Sequence, residues 1–339
     1  MFKSPPYLLQ DASVSRVMTQ VCLALVPGIA VYVWLLGPAI LIQLAVASLA
    51  ALLSEALILR LRGKPLALFL SDGSAVVTAW LIALTFPPLA PWWLVVVGTV
   101  FAIVVAKHLY GGLGQNPFNP AMIAFAVCIV SFPALMSQWP SQGLHLSLAE
   151  QANIVFGLMP RVDALAGATP LDALKTALKL GAESGIDVPA LLANQDIYGN
   201  FAGRGWEWVA AAYLLGGLWL WLRGVITWQV PVAFIAALTA ISTALWVYQP
   251  TSFASPFFHL FSGGAMLGAF FIATDPVSGC TTPRGKLVFG AGAGLLAYLI
   301  RVFGGYPDGV AFAVLIMNIC VPVIDLFCQP PIFGMKDKP

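Results

Sequence analysis

Charge is scarce in this chain. Of its 339 residues only 9% are Asp, Glu, Lys or Arg, while 60% are hydrophobic and the mean hydropathy is +0.90. Soluble domains carry roughly 25% charged residues, so the shortage excludes an ordinary soluble domain and marks a polytopic membrane protein. A net charge of +2 is too small to suggest a nucleic-acid partner. Five cysteines (Cys22, Cys128, Cys280, Cys320, Cys328) include no CxxC pair. Neither zinc nor an iron–sulfur cluster finds its thiolates at short spacing, and packing as small hydrophobes is the expected role. Histidine is as rare: His108 and His259 fall near opposite membrane faces, too far apart to ligate one haem, and with His145 they read as interface residues. No cleavable signal is evident, because the first apolar run, 17–36, is long for such a segment and has no cleavage-type exit.

Apolar sequence is abundant. Runs near 17–36, 39–59, 75–89, 91–106, 121–136, 208–222, 225–248, 257–273, 287–300 and 310–328 make ten candidate helices. Several are shorter than the roughly 20 residues needed to cross the hydrocarbon, and those at 75–89 and 257–273 are flanked by Gly, Pro and Asp, as broken helices would be. With the N-terminus inside, ten spans place Lys3, Arg16, Arg60, Arg62, Lys64, Lys107, Arg223, Arg284, Lys286, Lys336 and Lys338 on the cytoplasmic side, 11 of the 16 basic residues. That obeys the positive-inside rule, and Trp92 and Trp93 then start the fourth span in the outer aromatic belt. Both termini are expected inside and the 137–204 loop outside.

The two halves look related. SDGSA (71–75) and SGGAM (262–266) mark the third and eighth runs, while YGGLGQNPFNP (110–120) and FGGYPDG (303–309) precede the fifth and tenth. A five-span unit repeated once must insert in opposite orientations, giving an inverted repeat with interrupted helices around a central site. The expected fold is therefore an all-α polytopic membrane protein of about ten transmembrane helices in two inverted five-helix repeats. Its segments are 1–136 (first repeat), 137–204 (outer loop) and 205–339 (second repeat and C-terminus).

The most polar interval contains DALAGATPLDALKT, Asp163 to Thr176. Thr169-Pro170-Leu171-Asp172 is first a helix start, with Thr as N-cap, Pro as first helical residue and Asp in the first turn. Leu171, Leu174 and Leu178 then share one face. Capping leaves Gly167-Ala168 unexplained. A second reading covers them: a helix N-terminus attracts phosphate, small neighbours admit a bulky group, and the threonine hydroxyl can carry that phosphate as an ester.

Other candidates flank the interruptions. Asp72, Asp275 and Asp308 are either helix caps or, as carboxylates within a membrane, markers of an ion path. Gly111, Gly112, Asn116 and Asn119 form a non-helical stretch that either lines an enclosed cavity, for a bound group or a gate, or simply breaks the helix. Asn119-Pro120-Ala121 spells the water-channel signature, but such channels carry two copies and six spans. Glu55 lies one turn from Arg60 and is expected to snorkel or pair with it. Interrupted, repeated helices alone also suit a secondary transporter or channel for a small solute or ion, which has no need of the 163–169 constellation.

Asp163 to Thr169 resembles the D-x-x-(S/A)-G-A-T acceptor motif of flavin-transferase substrates. VPGIA (26–30), FPPLAPWW (86–93), YGGLGQNPFNPAM (110–122), GATPLD (167–172), TDPV (274–277) and FGGYPDGVAFAVL (303–315) occur in order. By them the chain, Pro6 to about Gly334, resembles RnfD, a membrane component of the Rnf (Rsx) ion-translocating oxidoreductase complex. The sister family, NqrB of the Na+-translocating NADH:quinone reductase, usually has a longer N-terminal extension than the Met1–Arg16 found here. The resemblance implies FMN joined covalently to Thr169 through its phosphate, with Asp163, Gly167 and Ala168 read by the transferase. It also implies a non-covalent flavin, riboflavin, within the same polypeptide. Partners would be the other Rnf subunits (A, B, C, E and G), and electron transfer between ferredoxin and NAD would drive Na+ or H+ across a bacterial inner membrane. With no nucleotide fingerprint or cluster ligands, the chain is not catalytically complete alone.

Overall fold

Helix is what an apolar chain must form where water cannot satisfy its backbone, and helices dominate. A computed structural model describes residues 13–140, 146–159, 166–181, 187–195, 197–200 and 202–329. Ser13 caps α1 (Val14–Leu36), and after a two-residue turn α2 (Ala39–Leu61) returns alongside it. A short α3 (Leu66–Leu70) leads to α4 (Ser74–Thr85), α5 (Trp92–His108) and α6 (Pro120–Ser131), each apolar but only 12, 17 and 12 residues long. The last turns of α5, Phe101–His108, widen to π-helix. After α7 (Pro133–Met136), the polar interval holds α8 (Leu148–Val155), α9 (Pro170–Gly181) and α10 (Val188–Leu192). The chain continues through α11 (Trp206–Leu222), α12 (Gln229–Tyr248) and a broken segment, α13 (Pro256–Phe261) followed by α14 (Ala265–Leu267) and a π turn, Gly268–Ile272. It closes with α15 (Pro283–Phe303) and α16 (Val310–Cys328).

Among the described residues five helices, α1, α2, α12, α15 and α16, are long and apolar enough to cross a membrane. Residue choice explains how closely they pack. Gly28 of α1 lies under the Tyr213 ring of α11, and Gly216 of α11 faces the Ala24 carbonyl. Gly290 and Gly294 of α15, spaced four apart, admit the backbone of α12 at Val230 and Phe234. Small residues at that spacing let membrane helices approach where no hydrophobic force drives them together. Elsewhere α2 packs on α4 and α5, α15 on α16, and α6 on α16.

One feature lies outside the all-α expectation. Trp139–Pro140 pairs antiparallel with Ala166–Gly167, a two-residue ladder that ties the start of the polar interval to the stretch before α9. The cysteines are free, with Cys128 and Cys280 buried. His108 and His259, expected at the interfaces, are instead buried, at 6% and 4% exposure. His145 lies outside the described residues.

Candidate functional site

Thr169 sits where sequence logic puts a cap. Its Oγ1 accepts the Asp172 N–H at 3.2 Å and its carbonyl accepts the Ala173 N–H at 2.8 Å, with Pro170 as first helical residue. The Trp139↔Gly167 pairing holds the chain just upstream. Leu171 and Leu174 of α9 bury against Ala254 and Phe258 in a small separate core, and Lys175 donates to the carbonyls of Arg301 (2.9 Å) and Tyr306 (2.8 Å) at the end of α15. Ala168 is exposed and Thr169 partly so. Asp163 lies outside the described residues.

Beneath Thr169 an open-mouthed cavity of about 1030 Å³ runs inward. Trp139, Trp206, Tyr32 and Tyr213 form one wall; Trp206 meets Trp139 and Tyr32 edge-on, at 5.4 and 6.0 Å between ring centres. Opposite is the break between α13 and α14. Gly263 there takes φ +65°, which an L side chain rarely adopts, and a Cβ would come within 2.5 Å of both Asp308 Oδ2 and Leu171 Cδ1. Asp308 locks the break. Its Oδ2 accepts the Gly264 N–H at 2.6 Å, while Oδ1 accepts the Val310 N–H and the Arg301 guanidinium, all at 3.2 Å. Arg301 is 3% exposed and also donates to the His259 carbonyl.

A second cavity, about 860 Å³, opens at the other end of the same helices. The first touches the C-terminal end of α4 (Leu84) and the N-terminal end of α11 (Trp206); the second touches Ser74 and Leu220, their opposite ends. Asn116, Asn119 and Asp275 line this second cavity. Asn119 caps α6 by accepting the Ala121 and Met122 N–H groups, and its Nδ2 donates to the Ile272 carbonyl at 3.2 Å. Asn318, inside α16, accepts the Asn119 N–H and donates to the Ser278 carbonyl. Asp275 accepts from Ser278 Oγ and the Val277 N–H, whereas Asp72 accepts from the N–H and Oγ of Ser74 at the start of α4. Gly111 and Gly112 take φ +129° and +107° in the turn leading to Asn116. Asp72 and Asp308 thus each accept the first N–H of the helix that follows, at Ser74 and Val310, Asp275 closes a turn, and Asp275 and Asp308 also border a cavity.

Charge at the second cavity comes from a grouping that spacing along the chain did not suggest. Glu55 pairs not with Arg60 but with Lys107, Nζ to Oε1 at 2.5 Å, and its Oε1 lies 3.0 Å from His108 Nε2. Lys107 also donates to Ser74 Oγ at 2.7 Å and lines the cavity. The Glu55 and Lys107 side chains are 2% and 3% exposed. The π stretch is why adjacent residues reach one oxygen: its wider turn swings Lys107 and His108 towards the same side.

The model of the family described as "NQR2, RnfD, RnfE family" matches residues 1–334. Among relatives, the chain is 48% identical to the D component of an ion-translocating oxidoreductase complex of Escherichia fergusonii, covering 98% of each chain. It is 50% identical to a protein of the same description from Alcanivorax borkumensis, over 98% of this chain and 96% of that one.

Proposed function

The chain belongs to the NQR2, RnfD, RnfE family, and from that premise we propose that it is RnfD, the flavin-carrying membrane component of an Rnf-type complex. In this reading electron transfer between ferredoxin and NAD drives Na+ or H+ across a bacterial inner membrane. Thr169 would bear FMN as a phosphoester, and the Rnf subunits A, B, C, E and G would complete the assembly. The observation that carries the proposal is the position of Thr169, a partly exposed hydroxyl on a helix N-terminus at the rim of a deep aromatic cavity.

The residues fit the group. The cavity is lined mostly by apolar and aromatic side chains with a few polar groups, as ligand sites usually are. The Asp172 N–H reaches Thr169 Oγ1, the oxygen an ester would use, and the dipole of α9 favours a phosphate's charge there. Asp172 and Asp308 are among the lining residues. The ester to Thr169 would keep the phosphate at the helix start, and the aromatic walls would receive a flat ring. Flavin supplies reversible electron uptake and release, which side chains cannot. The chain orients the ring, excludes water from it and fixes it at one depth. The second cavity, with Asn116 and Asn119 at its wall, suits the non-covalent flavin.

The arrangement of the helices supports the inverted repeat. α5 and α15 each end in a buried cation, Lys107 and Arg301, that reaches a broken segment: Lys107 bonds Ser74 at the start of α4, and Arg301 bonds the His259 carbonyl and Asp308 beside the α13–α14 break. The cavities occupy opposite ends, as the positive-inside threading requires if Thr169 faces the periplasm and both termini the cytoplasm. A reporter inserted at 141–160 should then read periplasmic and one at the C-terminus cytoplasmic; the reverse pattern would sink the orientation.

The experiment is Thr169→Ala, expressed in a host that has the flavin transferase. Wild-type chain should run on a denaturing gel as a band fluorescent under ultraviolet light, with the flavin mass on the Thr169 peptide. The variant should be dark, remain in the membrane, and still yield acid-extractable flavin from the second cavity. An unmodified Thr169 in native material would leave the secondary transporter or channel, which the broken helices and opposed cavities also suit.

A further inference from the structure

Two phenols in the outer cavity have nothing to bond. Tyr32 of α1 and Tyr213 of α11 are 1% and 5% exposed, both line the cavity beneath Thr169, and neither hydroxyl has a partner among the described residues. A buried hydroxyl without a partner is a cost the native state normally avoids. Each ring packs against an aromatic neighbour. Tyr32 stands edge-on to Trp206 at 6.0 Å and 89°, and Tyr213 edge-on to Phe271 at 6.1 Å and 70°. Tyr213 lies over Gly28, one helical turn before Tyr32 and on the same face of α1. The two phenols thus stand near one another across the α1–α11 seam. Leu84, Met122, Phe125 and Leu267 make much of the remaining lining apolar.

Such a cavity selects a ligand with broad apolar faces and one edge of acceptors. We propose that the Tyr32 and Tyr213 hydroxyls are paired hydrogen-bond donors that seat the acceptor edge of the flavin ring carried by Thr169. This rests on the attachment proposed above and adds the residues that set the ring's depth and potential. Ring carbonyl oxygens and nitrogens become more electron-rich on reduction, so donors aimed at them favour the reduced form. Removing a donor therefore lowers the potential.

The test uses the whole detergent-solubilised complex from a host with the transferase, carrying Tyr32→Phe or Tyr213→Phe. The Thr169→Ala complex provides the subtraction that isolates this flavin. Phe keeps the ring and its edge-on contacts and deletes only the hydroxyl. Each variant should retain the fluorescent band and the Thr169 peptide mass, while the midpoint potential of the attached flavin falls by about a tenfold change in equilibrium, ~30 mV for a two-electron couple. In the Thr169→Ala background neither substitution should lower the unfolding temperature, since an unpartnered hydroxyl stabilises nothing there. Labelled variants with unchanged potential and visible spectrum would overturn the proposal, and so would a fall in unfolding temperature in that background with no change in potential. A wild-type band without flavin refutes the attachment itself, on the gel and before any titration, and this inference with it.

Discussion

Glu55→Gln is the substitution whose cost the structure defines most closely. The glutamine preserves volume, so what is lost is the charge facing Lys107 at 2.5 Å in a site where both side chains are at most 3% exposed. Lys107 keeps Ser74 Oγ as a neutral partner, but its ammonium is left uncompensated away from water. Breaking one side of a buried pair costs about 3–5 kcal/mol. A loss of about 3–4 kcal/mol, at roughly 2 °C per kcal/mol for a large domain, lowers the midpoint by ~6–8 °C. The assay is the temperature at which half the monodisperse chromatographic peak is lost in detergent. Glu55→Leu combined with Lys107→Met should recover most of the loss, because well-packed apolar groups often replace a buried pair at little cost. A Glu55→Gln protein melting within about 1 °C of wild type, well inside the expected shift, or a double variant no better than the sum of its singles, would refute the reasoning.

Gly263→Ala should disturb the cavity beneath Thr169. The new methyl meets Asp308 Oδ2 and Leu171 Cδ1 at 2.5 Å and requires a left-handed backbone, a combination expected to cost about 1–3 kcal/mol, and the fraction of chain labelled at Thr169 should fall. Full labelling at wild-type stability would count against the lock. In α8, hydrogen bonds from the Ser147 hydroxyl and backbone N–H hold the Glu150 carboxyl below its ordinary value. A lowered folded value means stability present above the ordinary carboxylate range and lost as pH falls through the lowered value. Hydrogen exchange of the first turn of α8 should accelerate over that acid window and not in Glu150→Gln, whose rate should be flat with pH once intrinsic exchange is divided out.

Local pattern made much of this molecule legible. Unbroken apolar runs predict α1, α2, α12, α15 and α16, and Thr169-Pro170-Leu171-Asp172 predicts the start of α9, because hydropathy and capping act over a few residues. Glu55 shows where that reach ends. Arg60 is its neighbour by spacing, yet the side chain turns inward to Lys107, 52 residues away. A lone Asn in an apolar run is the one signal for Asn318, and its bonds to Asn119 and Ser278 could not be named without the fold. The Trp139–Gly167 pairing is too short to leave a strand pattern. The cavities arise from helices that stop early, and only packing decides what faces the space so left.

Between the cavities the barrier is thin. Leu81 lines one and Leu84 the other; Ala121 borders one and Met122, the next residue, the other. Three residues of helix advance only ~4.5 Å. In a bilayer about 30 Å thick, wetting both ends would collapse most of the voltage drop onto this septum. A unit charge displaced across it then performs nearly the full electrical work of a transmembrane crossing, about 2.3 kcal/mol per 100 mV, over a stroke no longer than a single helical turn.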